Sequence, residues 1–188
     1  MPIASDRITR AAALRSGAGI VGGAAMVWGA PPARAAPAAD DREAIVVLET
    51  LIPMERRLAA AYGAAASTGA LRDLAGEGPA HLRDQELRHE EALRAALARL
   101  GAQQLELRNE PPPLDPSAGE REIAQELLEL ESSIISAYLD AHQALRGGRL
   151  IETLTRIMAN EGQHLALLRL AVNRMPVPRA LETGDRDS

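Results

Sequence analysis

The feature that most constrains this chain is a group of acidic and imidazole residues that recurs at nearly the same spacing in both halves. In each half a lone glutamate precedes a Glu-x-x-His tetrad, by 31 residues in the first half and 30 in the second. A tyrosine follows each lone glutamate by seven residues, and the chain has no other tyrosine. The two groups are Glu55, Tyr62, Glu86 and His89, and Glu131, Tyr138, Glu161 and His164. This agreement indicates an internal repeat.

The repeated acidic and imidazole residues lie on the apolar faces of predicted helices. Residues three, four and seven positions from Glu131 share its helix face and are Ala124, Leu127, Leu128, Ile134, Ile135 and Tyr138. A similar apolar pattern surrounds Glu55 and both Glu-x-x-His tetrads, whereas the neighbours of Glu129 are charged or polar. We therefore predict that the four glutamates and two histidines face the core and that Glu129 faces water.

Four glutamates buried in one core layer need compensating positive charge. Removing a carboxylate from water costs several kcal/mol even after the protein relaxes. Two divalent ions would balance the four carboxylates, and two neutral imidazoles would complete the ligand set of carboxylate-bridged di-metal bundles. Oxygen and nitrogen ligands without sulfur favour iron or manganese, with zinc as a further occupant. The alternative is a metal-free polar core in which protonated glutamates bond to the histidines.

The composition predicts an all-α domain. Hydrophobic residues make up 46% of the chain, but only 2% are aromatic and none is phenylalanine, so the core must consist mainly of aliphatic side chains. Alanine and leucine, which are abundant here, favour helices. Proline and glycine positions divide the chain into four helical segments, at about residues 41–66, 79–101, 118–145 and 149–174. Pro53 lies inside the first segment and is expected to kink it.

The connections between these segments predict one long crossover. Only a short turn with Gly147 and Gly148 separates the third helix from the fourth, so these two helices must be antiparallel. Residues 101–117 include four prolines, and a segment of this length could extend over roughly 55 Å. A helix of about 22 residues is only about 33 Å long. We therefore expect a ferritin-like four-helix bundle whose second and third helices are joined by a crossover along its length.

The missing residue types exclude several kinds of chemistry. The chain has no cysteine, which excludes disulfides, thiolate zinc sites, iron–sulfur clusters and a cysteine nucleophile. It has no lysine, which excludes Schiff-base chemistry. The net charge of −5 argues against a broad nucleic-acid-binding surface.

The first 35 residues resemble an export signal. Three arginines precede an uncharged stretch over residues 16–30, and Ala33-Arg34-Ala35 fits a small-x-small cleavage site. The segment as a whole is similar to a twin-arginine signal, but Ala11 stands where the second arginine would be, so the general secretory route stays open. An uncleaved membrane anchor or an unstructured tail is the alternative. We expect a signal peptide over 1–35, a linker over 36–40, the bundle over 41–175 and a flexible tail over 176–188.

Over about residues 41–174 the repeated residues make the chain resemble the ferritin-like superfamily, whose di-iron members include rubrerythrin and bacterioferritin. Exported bacterial ferritin-like domain proteins are the nearest likeness. The resemblance implies that Glu86 and Glu161 bridge two metal ions, that Glu55 and Glu131 are terminal carboxylates, and that His89 and His164 bind one ion each. It also implies that Tyr62 and Tyr138 lie beside the site, as hydrogen-bond donors or redox-active phenols.

The same resemblance implies an exported di-metal oxidoreductase with ferroxidase or oxygen- and peroxide-reducing activity. The second hypothesis is a non-catalytic metal-binding or cell-envelope stress protein whose metal holds the bundle together. A third is an interaction module with an empty site. The expected partners are metal ions and dioxygen or peroxide, with no nucleic acid and no membrane span after signal removal. The assembly state stays open, with a homodimer as one option.

Three further titratable residues are expected to have structural or surface positions. His81 and His142 do not recur in the other half of the chain, so both are predicted to lie at the surface. Glu90 borders a Glu-x-x-His tetrad and is predicted to be solvated or paired with a nearby arginine, for which Arg56, Arg57, Arg88 and Arg94 are candidates.

Overall fold

Four long helices form the described part of the chain in the computed structural model. A short 3₁₀ turn over Leu74–Gly76 follows the first helix, and the described residues contain no strand. The described residues are 38–76, 78–107, 114–115, 117–145 and 147–184, so the predicted signal peptide lies outside them. The helices are α1 (Ala39–Thr68), α2 (Pro79–Arg99), α3 (Glu120–Ala144) and α4 (Arg149–Ala171). The all-α prediction is confirmed, and each helix end lies within three residues of its expected position.

Local sequence explains where these helices begin and end. Pro79 opens α2, where its missing N–H costs no helical hydrogen bond. Gly78, just before it, has a φ of +76°, and a Cβ at this position would lie 2.8 Å from the backbone oxygen of Arg72, so only glycine fits. Pro53 lies within α1, which is helical on both sides of it, and the kink expected there stays a prediction.

Two cavities at the helix ends reveal the directions of the helices. One, of about 320 Å³, is lined by residues from the start of α1, the end of α2, the end of α3 and the start of α4, including Asp41, Arg99, Leu145 and Arg149. The other is lined by the 3₁₀ turn, the start of α3 and the end of α4. Helices α2 and α3 therefore run parallel, and the segment between them connects opposite ends of the bundle, as predicted.

The core between the helices consists mainly of leucine, isoleucine and alanine side chains. Tyr62 and Tyr138 are its largest fully buried members. Helix α1 packs against α2 and α3, and α3 packs against α4. The fully buried aliphatic side chains near the middle of the bundle include Leu51, Ile52, Leu82, Leu93, Leu127, Ile134, Leu154 and Leu165. This layer surrounds the polar residues described below.

The segment after α4 contacts two helices. Arg169 of α4 donates hydrogen bonds to both carboxylate oxygens of Glu182, at 2.6 and 3.2 Å. The Ser136 hydroxyl of α3 donates to the backbone oxygen of Thr183 at 3.3 Å. These polar contacts attach the described part of the predicted tail to α3 and α4. None of the helices in the described part of the chain combines the length and apolar character needed to span a lipid bilayer.

Candidate metal centre

The six residues predicted as metal ligands lie in one layer between the four helices. Helices α1 and α3 contribute one glutamate each, and α2 and α4 contribute one Glu-x-x-His tetrad each. All four glutamates have no exposed surface, and the side chains of His164 and His89 are 1% and 11% exposed. The residues that meet are Glu55, Glu86, His89, Glu131, Glu161 and His164. Their assignment as metal ligands stays a prediction.

The first group of ligand atoms surrounds Nδ1 of His89. This atom lies 2.7 Å from Oε1 of Glu161 and 3.2 Å from Oε2 of Glu86. It lies 3.5 Å from Oε2 of Glu55. One nitrogen and three carboxylate oxygens from three helices therefore converge, all within 4.8 Å of one another.

The second group surrounds Nδ1 of His164 in the same way. This atom lies 2.8 Å from Oε1 of Glu86 and 3.2 Å from Oε2 of Glu161. It lies 3.3 Å from Oε1 of Glu131. Glu86 and Glu161 thus present one oxygen to each histidine, whereas Glu55 and Glu131 each face only one. This division matches the bridging and terminal positions that the family resemblance implies.

Several atoms in this layer are buried without a hydrogen-bond partner in the described part of the chain. An unpaired buried polar atom costs about 1–3 kcal/mol, so natural proteins rarely leave several together. A cation bound to these atoms would satisfy them, and oxygen with imidazole nitrogen is the donor set of iron or manganese sites. The residues therefore fit a metal site. The unpartnered atoms are Oε2 of Glu55, Oε1 of Glu86, Oε2 of Glu131, both Glu161 oxygens and Nδ1 of His164.

Protons and hydrogen bonds balance the charges of the cluster itself. Burial raises the pKa of Glu55 and of Glu131 well above the usual range, which favours their protonated forms. Burial also acts to raise the pKa of Glu161, but the two adjacent imidazoles outweigh it and lower that pKa to about 2.

For the two imidazoles, burial and the neighbouring carboxylates act on the pKa in the opposite sense to burial and the imidazoles at Glu161. Burial acts to lower the pKa of His89 and of His164, but each ring faces three carboxylates, which together raise its pKa to about 12. Positive charge on the rings thus lies beside the ionised Glu161. A metal cation binding to the same atoms would have to displace these protons.

The two tyrosines connect the halves of the site crosswise. Tyr62 of α1 donates a hydrogen bond to Oε1 of Glu131 at 2.5 Å, and Tyr138 of α3 donates to Oε1 of Glu55. Burial and the neighbouring carboxylates raise the pKa of both phenols well above 10.0, so both remain donors. The structure therefore places both tyrosines against the candidate terminal ligands, as the resemblance implies.

Two carboxamides in the site were missed by sequence reasoning. The Nε2 atom of His164 lies 2.6 Å from Oε1 of Gln85, and Nε2 of His89 lies 3.0 Å from Oδ1 of Asn160. Each carboxamide immediately precedes the glutamate of a Glu-x-x-His tetrad, and the two are 75 residues apart, as are Glu86 and Glu161. That shared spacing is the signal that could have identified them.

The acidic residues outside the layer have the predicted partners. Glu90 is only 2% exposed and pairs with Arg56 of α1 at 2.6 Å and with Arg94 of α2 at 2.7 Å, so its predicted pairing is confirmed. Burial acts to raise the Glu90 pKa, but the two guanidinium groups lower it. Glu129 is exposed and accepts a hydrogen bond from Gln125, so the predicted solvent-facing position of Glu129 is also confirmed.

The two remaining histidines, predicted to lie at the surface, are only partly exposed. His81 is half-buried, and its Nε2 atom lies 2.8 Å from the amide nitrogen of Gln85. His142 is also half-buried and lies within hydrogen-bond distance of the Tyr138 carbonyl and the Thr155 hydroxyl. The contacts with Gln85 and with the Tyr138 carbonyl span one turn of a single helix, whereas the Thr155 contact joins α3 to α4 and depends on how these two helices are rotated against each other.

Comparison with protein families gives a result that agrees with this geometry. A family model described as a ferritin-like domain matches residues 43–174, which include all six candidate ligands, both tyrosines and both carboxamides. Comparison with curated proteins returns no match. The matched region extends from the first turns of α1 to just beyond α4 and covers more than half of the chain. The chain therefore belongs to the ferritin-like domain family.

Proposed function

We propose that this chain binds two divalent transition-metal ions, iron by preference and manganese as the alternative, between its four helices. The observation that carries the proposal is that Glu86 and Glu161 each direct one oxygen to each of two histidines. The proposed ligands are Glu55, Glu86, His89 and Glu161 for one ion, and Glu86, Glu131, Glu161 and His164 for the other.

Charge and ligand chemistry support two ions rather than one. Two divalent cations balance four carboxylates, whereas a single ion would leave two buried negative charges that need protons. The chain has no cysteine, so no soft ligand favours a thiolate metal site. Carboxylate and imidazole ligands together are common to iron and manganese sites. The donor set is therefore matched in both charge and type to a pair of such ions.

Within this proposal the protein is an oxidoreductase acting on dioxygen or peroxide, or a ferroxidase. A bound pair of iron or manganese ions would supply electrons for such chemistry. The carboxylates of the chain would balance the charge of the ions, the burial of the site excludes bulk water, and the tyrosines keep protons next to the glutamates. Tyr62 and Tyr138 hold these protons on their phenol oxygens, directly against Glu131 and Glu55.

Metal analysis combined with an oxidation assay tests this proposal. The purified protein is loaded with Fe(II), its bound metal is measured, and near-ultraviolet absorbance is followed after addition of oxygen or peroxide. We expect two metal ions per chain and an absorbance increase that a Glu86→Ala variant lacks. The exposed Glu129→Ala variant is the matched control and should behave like the wild type. A wild-type chain that binds no metal would refute the proposal.

The alternative function is a bundle in which metal has only a structural role. The observation that favours it is the closure of the layer, since His89 is the most exposed candidate ligand and its side chain is only 11% exposed. Such burial restricts the approach of any reactant larger than a small gas or peroxide molecule. Two bound ions without oxidation of added Fe(II), together with a lower melting temperature in chelator, would support this alternative.

We also propose that the protein is exported from the cytoplasm and that residues 1–35 are removed. The basic start, the uncharged stretch and the Ala33-Arg34-Ala35 site support this proposal. The amino-terminal sequence of protein recovered from the cell envelope or the medium tests it. A mature protein beginning at Ala36 is expected, and an intact Met1 start in the cytoplasm would contradict it.

A further inference from the structure

We infer that Gln85 and Asn160 are positioning residues, each of which holds the metal-binding histidine of the opposite half in the orientation needed to bind an ion. This inference rests on the proposed function, because it concerns the same metal centre. It assigns a role to two neutral side chains that are neither candidate ligands nor tyrosines.

The hydrogen bonds of the two carboxamides cross between helices α2 and α4. Gln85 lies on α2, next to Glu86, but its amide oxygen contacts Nε2 of His164 on α4 at 2.6 Å. Asn160 lies on α4, next to Glu161, but its amide oxygen contacts Nε2 of His89 on α2 at 3.0 Å. The residue just before each Glu-x-x-His tetrad therefore contacts the histidine of the other tetrad.

The chemistry of an amide oxygen determines what this contact does. Such an oxygen can only accept a hydrogen bond, so the Nε2 atom that faces it must carry the hydrogen. A ring whose Nε2 keeps its hydrogen binds a cation through Nδ1. In both histidines Nδ1 is the atom that faces three carboxylates. The carboxamides thus select the ring nitrogen that points into the centre.

A third residue determines the orientation of the Gln85 amide. Its amide nitrogen lies 2.8 Å from Nε2 of His81. Because an amide nitrogen can only donate, Nε2 of His81 accepts this bond. Turning the amide over would place its NH₂ group against the ring hydrogen of His164 and an oxygen against His81. His81 therefore helps to keep the Gln85 oxygen directed at the metal-binding ring.

The neutrality of both carboxamides also fits the charge of the centre. Four glutamates already balance two divalent ions, so a further carboxylate at either position would add uncompensated buried charge. An amide provides the same accepting oxygen without that charge. Gln85 and Asn160 are half-buried, so neither is held in place by burial alone.

Zinc binding and nuclear magnetic resonance of the full chain test the inference, with Zn²⁺ alone as a diamagnetic probe. Zinc affinity is measured by competition with a chelator, and the ring nitrogens and their hydrogens are observed in ¹⁵N-labelled protein. In Gln85→Leu we expect zinc affinity to fall about 10- to 100-fold. The protected Nε2 hydrogen of His164 should be lost while that of His89 remains. In Asn160→Leu the protected Nε2 hydrogen of His89 should be lost while that of His164 remains.

Two control variants separate the hydrogen bond from side-chain shape and from general destabilisation. Gln163→Leu makes the same substitution on the exposed side of α4, where Gln163 contacts only the Ala159 carbonyl among the described hydrogen bonds, and it should leave zinc affinity unchanged. Gln85→Glu keeps an accepting oxygen and should retain the ring hydrogen signal that Gln85→Leu loses. Circular dichroism checks that each variant remains helical.

The possible results distinguish this inference from the proposed function. Two zinc ions bound by the wild type, with unchanged affinity and ring signals in both leucine variants, would overturn the inference and leave the proposed function standing. A wild type that binds neither zinc nor Fe(II) nor Mn²⁺ would overturn both. If a leucine variant does not fold, the zinc-loaded wild type still decides: hydrogen on Nδ1 rather than Nε2 of either ring would refute the assignment.

Discussion

Side chains of one chemical type have different positions in the candidate centre because each faces a different number of histidines. Glu86 and Glu161 direct an oxygen to both rings, whereas Glu55 and Glu131 each direct an oxygen to a single ring. Glu55 accepts the tyrosine hydrogen bond with its other oxygen, and Glu131 accepts it with the same oxygen. Removing a shared carboxylate therefore affects both groups of ligand atoms. Removing an unshared carboxylate affects only one group.

This difference predicts distinct metal stoichiometries for the glutamate variants. Glu86→Ala and Glu161→Ala should each abolish the binding of two ions, because each removes one oxygen from both groups. Glu55→Ala should retain one ion near His164. Metal content per chain, measured by mass spectrometry after dialysis, checks these outcomes, and Glu129→Ala should retain two ions. If both Glu86→Ala and Glu161→Ala still bound two ions, the bridging assignment would be wrong.

The tyrosine hydroxyls should contribute to stability as well as to the site. Tyr62→Phe keeps the ring that fills the core but leaves Oε1 of Glu131 without its hydrogen-bond donor. A lost partner of a buried polar atom costs about 1–3 kcal/mol, so the free energy of unfolding should fall by that amount. Urea unfolding of Tyr62→Phe and Tyr138→Phe measures the change. Equal stability of the wild type and both variants would contradict the importance of these hydrogen bonds.

The six candidate ligands could be predicted from sequence because helical periodicity reports which face of a helix is buried. Glu131 and Glu129 differ by two positions, and the pattern correctly assigned one to the core and the other to water. Gln85 and Asn160 could not be predicted in this way. They are one residue away from the apolar stripe, and their contacts depend on the rotation of α2 against α4, which periodicity within a single helix does not contain.

At the scale of the helices, the two halves have equivalent candidate ligands, but different contacts join the helices within each half. Arg56 of α1, whose side chain is half-exposed, and the buried Glu90 of α2 form an ion pair in the first half. The corresponding positions of the second half, 132 and 165, are serine and leucine. There the segment after α4 contacts Ser136 of α3 and Arg169 of α4 instead. The repeat therefore predicts the site, whereas the joining contacts had to be found in the structure.

The pair between Arg169 and Glu182 predicts a pH-dependent contribution to stability. Burial acts to raise the Glu182 pKa, but the Arg169 guanidinium lowers it below its ordinary value of 4.5. The folded state therefore favours the ionised carboxylate, and the stabilisation is present above pH 4.5 and is lost as the pH falls through the lower, folded value.

Urea unfolding of the wild type and of Glu182→Gln at pH 7, 5 and 3 measures this contribution. The wild type should be more stable by about 0.5–1 kcal/mol at pH 7 and pH 5, because the pair is partly exposed. The difference should shrink at pH 3, because this pH lies below 4.5, where the unfolded carboxylate takes up a proton and folding no longer gains the full ion pair. A difference that stays constant or grows toward pH 3 would contradict the ion-pair explanation.

At the scale of the whole molecule, the candidate centre joins all four helices. One group of ligand atoms comes from α1, α2 and α4, and the other comes from α2, α3 and α4. The segment joining α2 to α3 spans the bundle from one end to the other, so these contacts lie far apart along the chain. Ions bound at the centre would hold together helices from both halves of the chain.

Metal binding should therefore raise the stability of the whole bundle. Ions that bind the folded chain but not the unfolded chain stabilise it by about 2.7 kcal/mol when free metal is 100-fold above the dissociation constant. The melting temperature, followed by the helical circular dichroism signal, should rise with Mn²⁺ concentration and fall after chelation. Glu129→Ala should respond like the wild type, whereas Glu86→Ala should not respond. A wild-type melting temperature that chelator and added metal leave unchanged would instead favour an interaction module with an empty site. Two cations, each held by three of the four helices, cannot bind without opposing the separation of those helices.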